Sequence, residues 1–108
     1  MLVWVRRAIK DRDEQMDYIA QDNPRAAIEQ GDRMAHQVSQ LVQHPELGRA
    51  GRKQGTRELV ISRTPFIVIY RIKGQRIELL RVLHGAQQWP KDNGPALVRG
   101  PPVSRPRN

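Results

Sequence analysis

The residues of this chain best suited to chemistry are cations. Arg57, Arg63, Arg71, Arg76 and Arg81 fall within 25 residues, Arg49, Arg52 and Lys53 precede them, and Tyr70, His84 and Trp89 lie in or just beyond the same stretch. Guanidinium forks bind phosphate oxygens in pairs and aromatic faces stack bases, so the set suits a phosphate-contacting surface. The same arginines suit equally well the solvent face of a half-covered sheet. Within "RIELLRVLH", Arg76 to His84, Arg81 and His84 raise the question of an acid–base pair. Strand alternation puts Ile77, Leu79, Arg81 and Leu83 on one face and Glu78, Leu80, Val82 and His84 on the other. Arg81 and His84 therefore share a face only if the strand bulges or ends near Leu83.

Other chemistries find no support in the residue pattern. The chain has no cysteine, which removes disulfides and thiolate metal sites and suits a reducing compartment. His36, His44 and His84 fall on different elements without metal-ligand spacing, and His36 and His44 read as surface histidines of a helix. There is no phosphate-binding glycine loop, nucleophile elbow or paired-carboxylate motif, and no cofactor is expected. The net charge of +8 attracts polyanions, whether nucleic acid or an acidic protein segment. With no long apolar run and no signal-peptide pattern, a cytoplasmic protein without a membrane role is expected.

The elements that must position these residues follow from periodicity. "MLVWV" predicts a short first strand, Leu2–Val5. From Arg6, Ile9, Met16, Ile19 and Ala20 recur at helical spacing, predicting a helix that ends near Asp22. Asn23 and Pro24 then supply a cap and a first-turn proline. A second helix carries Ala27, Gly31, Met34, Ala35, Val38, Leu41 and Val42 on one face until Pro45 stops it. Gly31 suggests close packing there. The short link makes the two helices an antiparallel hairpin.

Residues 45–56 read as a glycine-rich basic loop. Three β-rich runs follow at 57–62, 66–72 and 76–84, with links short enough for hairpins and Gly74 supplying positive φ in the second. The expected fold is α+β: a short N-terminal strand, an antiparallel helical hairpin, then a three-stranded antiparallel meander packed on the helices. Residues 1–90 form the domain. Beyond it, residues 91–108 hold four of the eight prolines and no aromatic residue, and are expected to be a disordered basic tail.

The element order, with "YIAQDNPRAA", "HPELGRAGRKQGTREL" and "VIYRI…IELLRVLHGAQQWP", resembles the RelE/ParE superfamily, the toxins of bacterial type II toxin–antitoxin modules. The resemblance covers residues 1–90, and the "LRVLH" ending looks closest to the ParE-like branch. It implies a toxin of a plasmid-stabilisation or stress module that arrests growth, in the ParE-like case by inhibiting DNA gyrase without catalysis. The alternative within the superfamily is a RelE-like, ribosome-dependent mRNA endoribonuclease without a metal. Outside it stands a non-toxic basic nucleic-acid-binding module.

A cleaving enzyme of this kind would use His84 as general base or acid, Arg81 and Arg57 to stabilise charge on the phosphate, and Tyr70 to position a base. Target contacts would fall to Arg49, Arg52, Lys53, Arg63 and Trp89. The resemblance also implies a cognate antitoxin encoded adjacently, acidic to match this surface, with operator DNA reached through it.

Overall fold

Local signals place the helical hairpin well. A computed structural model describes residues 1–85 and Trp89, so the expected tail at 91–108 lies outside the described residues. β1 (Leu2–Trp4) leads into α1 (Arg6–Asp22) and α2 (Pro24–Ser39). Asn23 Oδ1 accepts from the Ala26 N–H at 3.1 Å, satisfying one of the donors a helix start leaves open, and Pro24 occupies the first turn, where no donor is needed. α2 ends at Ser39 rather than continuing to Pro45, and a 3-10 turn follows at Gln40–Val42. The Ser39 hydroxyl donates to the His36 carbonyl at 2.6 Å, a local bond that competes with helix propagation.

The apolar faces differ in part from the periodic reading. In α1 the buried residues are Ala8 and Asp11, with Met16 and Ile19 packed at the margin, whereas Ile9 is exposed. In α2, Ala27, Met34 and Val38 are buried, but Ala35 and, beyond the helix, Val42 face solvent. A methyl added at Gly31 would sit 3.5 Å from Met16 Sδ, so the helices meet there at ordinary contact distance.

The sheet has five strands in the order β1-β5-β4-β3-β2, with β2 (Arg49–Ala50), β3 (Arg57–Val60), β4 (Phe66–Lys73) and β5 (Arg76–His84). The meander is antiparallel throughout, and β1 joins it parallel to β5. β2 lies inside the stretch expected as a loop and opposes only Arg57 and Glu58. Arg63 and Gly74 take positive φ in the two hairpin links.

Both faces of the sheet carry apolar residues. Leu59, Ile61, Phe66, Val68, Tyr70, Ile77, Leu79 and Val82 pack with Ala8, Met34, Val38 and Leu41 beneath the helices. Ile67, Ile69 and Leu83 form a second cluster with Leu80 and Trp89. A fully buried side chain of this kind contributes roughly 1.5–3 kcal/mol.

β5 departs from simple alternation. Tyr70 opposes Leu79 and Ile69 opposes Arg81, which leaves Leu80 as an extra residue, a β-bulge. Ile77 and Leu79 therefore face the helices together with Val82, while Leu83 turns to the other cluster. The bulge lies upstream of Arg81, so it corrects the expected face of Leu83 and Val82 without moving Arg81 and His84 into phase.

Candidate functional site

The basic stretch before the meander folds around one carboxylate. Glu58 lies in β3 and is almost wholly buried. Arg49 Nη2 donates to Glu58 Oε1 at 3.1 Å, and Arg52 donates to Oε2 from both its backbone N–H and its Nε, each at 2.9 Å. A buried carboxylate needs such charged donors, since removing one from water without partners is expensive. Burial pushes the Glu58 pKa up, but the bonds from Arg52 and Arg49 outweigh it and hold the group below its usual 4.5.

A pH dependence follows. The folded pKa lies below the unfolded one, so the stabilisation is complete above about pH 4.5 and is lost as pH falls through the folded value. Thermal melts of wild type and Glu58→Gln across pH 3–7 should show the widest gap near neutrality, narrowing as the medium is acidified. A gap independent of pH would contradict the assignment.

Tyr70 and Arg57, partners across β3 and β4, hold a second segment. The Tyr70 hydroxyl accepts from the Gly48 N–H at 2.8 Å and donates to the Pro45 carbonyl at 2.7 Å. Arg57 Nη1 donates to the Gly48 carbonyl at 2.8 Å and to that of Glu46 at 3.4 Å. Tyr70 is fully buried, and burial pushes its phenol above the usual value of 10. Two of the four side chains nominated for cleavage chemistry thus brace residues 45–48.

Arg81 is likewise engaged inside the protein. Its Nε donates to Asp11 Oδ2 on α1 at 2.7 Å, and the same oxygen accepts the buried Val82 N–H at 3.0 Å. Arg7 joins Asp11 from the helix surface at 3.2 Å. β1 accompanies β5 only to Leu79, whose carbonyl accepts from the Val5 N–H at 3.1 Å. Past that point Asp11 serves the strand edge in place of a neighbouring strand. Arg71 and Arg76 pair with Glu78 at 2.6 and 2.9 Å, and Arg71 foremost keeps that carboxyl below its usual range.

The remaining nominated residues lie nearer the surface. Lys53 Nζ stands 6.0 Å from the centre of the Trp89 ring, which packs against the second apolar cluster. His84, at the exposed end of β5, meets Phe66 edge-on with ring centres 6.2 Å apart. Arg63 is exposed at the β3–β4 turn. The structure thus brings together Arg49 with Arg52, Arg57 with Tyr70, and Lys53 with Trp89.

Asp11, Glu58, Gly48 and Gln37 escaped the sequence reading. Asp11 had a signal, its i+3 spacing from Ala8 on the packed face of α1. Glu58 had a weaker one, a lone carboxylate in an apolar strand after a run of cations.

The comparisons agree with this architecture. The family model described as "ParE toxin of type II toxin-antitoxin system, parDE" matches residues 2–89. "Putative toxin Y4kP" of Sinorhizobium fredii (strain NBRC 101917 / NGR234) is 42% identical over 88 residues, covering 82% of this chain and 91% of that protein. A chain of the chromosomal ParDE TA system from P. aeruginosa superposes with a TM-score of 0.68 at 32% identity, covering 75% of this chain and 90% of that one. With two helices and an antiparallel meander that share this neighbour's fold, and a family match across nearly all the described residues, the chain belongs to the ParE toxin family of type II toxin–antitoxin systems, a membership that implies an antitoxin partner.

Proposed function

We propose that this toxin arrests bacterial growth by binding DNA gyrase in the cytoplasm and blocking its action, with no reaction catalysed by the toxin itself. The observation that carries the reading is the internal use of three of the four side chains a cleavage mechanism would recruit, all but the exposed His84. Arg81 neutralises Asp11, Arg57 binds carbonyls, and the Tyr70 hydroxyl is committed as both donor and acceptor. Stabilising charge on a phosphate and positioning a base need such groups within reach of substrate, and the exposed His84 would have to act without them. A protein-binding toxin needs only surface.

Charge supports an acidic antitoxin. Residues 43–85 carry nine lysines and arginines against three carboxylates, which favours fast, salt-sensitive association with a negative segment. The antitoxin is encoded beside the toxin and supplies the contact with operator DNA.

Two assays test the reading together. Purified toxin is expected to inhibit DNA supercoiling by gyrase, with antitoxin restoring it, and induced cells should mount a DNA-damage response without new message ends. Supercoiling that proceeds unchanged while messages are cut on the ribosome would replace this reading with the endoribonuclease.

A further inference from the structure

We propose that the β3–β4 turn is a contact surface for an acidic patch on the protein target, with Arg63 as its anion-contacting residue. This rests on the protein-target reading above and goes beyond it by naming the surface and its chemistry.

The first observation is backbone strain. The Thr64 N–H donates to the Ile61 carbonyl at 3.2 Å, closing a β-turn with Ser62 and Arg63 at its centre. Arg63 takes φ +67° and is the one non-glycine residue with positive φ among the described residues. Negative φ at the first central position and positive φ at the second is the type II pattern, which calls for glycine or asparagine at the second. A link that only reversed the chain would carry one of those. An arginine there strains the backbone, and such strain gathers where a side chain is displayed for use.

The second observation is how firmly that conformation is imposed. The Gln37 amide spans Ser62, its Oε1 accepting from the Ser62 N–H at 2.8 Å and its Nε2 donating to the Ser62 carbonyl at 3.3 Å. The Thr64 hydroxyl donates to the Ile61 carbonyl at 2.9 Å and accepts from the Phe66 N–H at 3.1 Å. The Gly85 N–H donates to the Pro65 carbonyl at 2.6 Å, and Pro65 fixes its own φ. Bonds from α2, from the turn itself and from the end of β5 thus surround an exposed arginine.

The third observation is charge. Arg49, Arg52, Arg71, Arg76 and Arg81 each pair with a carboxylate, and Arg57 binds carbonyls. No carboxylate of the described residues pairs with Arg63. A guanidinium on a rigid turn binds a partner's carboxylate with two parallel bonds and loses little freedom in doing so.

The test compares the full-length wild type with Arg63→Gly, Arg63→Lys and Lys73→Ala. Glycine relieves the strain, so Arg63→Gly should melt about 4 °C higher than wild type. Its half-inhibitory concentration in the gyrase supercoiling assay should nonetheless rise roughly tenfold or more, as expected for an interface arginine. Arg63→Lys should fall between the two, keeping the charge and losing the fork. Lys73→Ala, at the other end of β4, removes the same charge and should stay within about twofold of wild type, the range expected of an exposed charge outside a contact. Antitoxin binding to Arg63→Gly should be unchanged.

The inference is overturned if Arg63→Gly inhibits at the wild-type concentration, if Lys73→Ala loses as much, or if the loss falls on antitoxin binding instead. Wild type that arrests growth without touching gyrase refutes the gyrase reading alone. The same four proteins are then ranked by growth arrest, where the same order is expected and equal arrest by Arg63→Gly again overturns the inference.

Discussion

Asp11→Ala is expected to destabilise the fold by about 3–5 kcal/mol, the range for removing one partner of a buried ion pair. Two losses combine. Arg81, with 15% of its side chain exposed, is left charged without its buried counter-ion. The Val82 N–H loses its acceptor at a point where β1 has already ended, and an unmet buried donor alone costs about 1–3 kcal/mol. For a domain stabilised by about 5–15 kcal/mol, this is a large fraction, and denaturant unfolding should show the midpoint falling steeply. Asp11→Asn should fall between, since one amide oxygen can still serve Val82. An unfolding free energy within about 0.5 kcal/mol of wild type, the range of an ordinary surface substitution, would mean that Asp11 is no such support.

Gly48→Ala is expected to lower stability by about 3 kcal/mol, at the upper end of the cost of overpacking. The added methyl would lie 2.7 Å from Tyr70 Cε1, 2.8 Å from its hydroxyl oxygen and 2.9 Å from the Glu58 backbone oxygen. Tyr70 is fully enclosed and tied at both ends of its hydroxyl, so the ring cannot swing aside without breaking the brace on residues 45–48. Tyr70→Phe is the companion measurement. It removes the two hydroxyl bonds at about 1–2 kcal/mol, yet the Cε1 contact remains, so the double variant should stay well below Tyr70→Phe alone. Full rescue in the double variant would place the conflict at the hydroxyl rather than the ring.

How far the fold was legible depended on the range of the interaction that decides each part. The hairpin was legible because Asn23 and Pro24 act within a single turn of α2, and the meander because alternation and short links are local. The bulge at Leu80 was not. It falls where β1 stops accompanying β5 and where Asp11, 71 residues before Val82, serves the edge that remains. β2 was hidden for a similar reason, since its two residues are strand only because β3 lies alongside them.

The arginines show the limit for the site. Their number and clustering announced a basic surface, but which ones would be consumed internally required the positions of Asp11, Glu58 and Glu78. Only the assembled sheet pairs Arg49 and Arg52 with Glu58, and Tyr70 with Gly48 and Pro45. Arg63 was selected for its charge alone, and its backbone conformation added a separate reason.

The Gln37 amide on Ser62 also bears on how molecules of this protein meet one another. β3 lies beside the edge of the sheet, and an uncovered edge invites another chain to add as a further strand and begin a stack. At one end β2 covers Arg57 and Glu58, and at the other a side chain from α2 imitates a neighbouring strand at Ser62 by filling both its donor and its acceptor. Of the three residues between them, Leu59 and Ile61 turn their backbone groups toward β4 and only Val60 turns outward. A single residue's backbone is too short a purchase to align a foreign strand, so β3 offers no template for edge-to-edge growth on this side of the sheet.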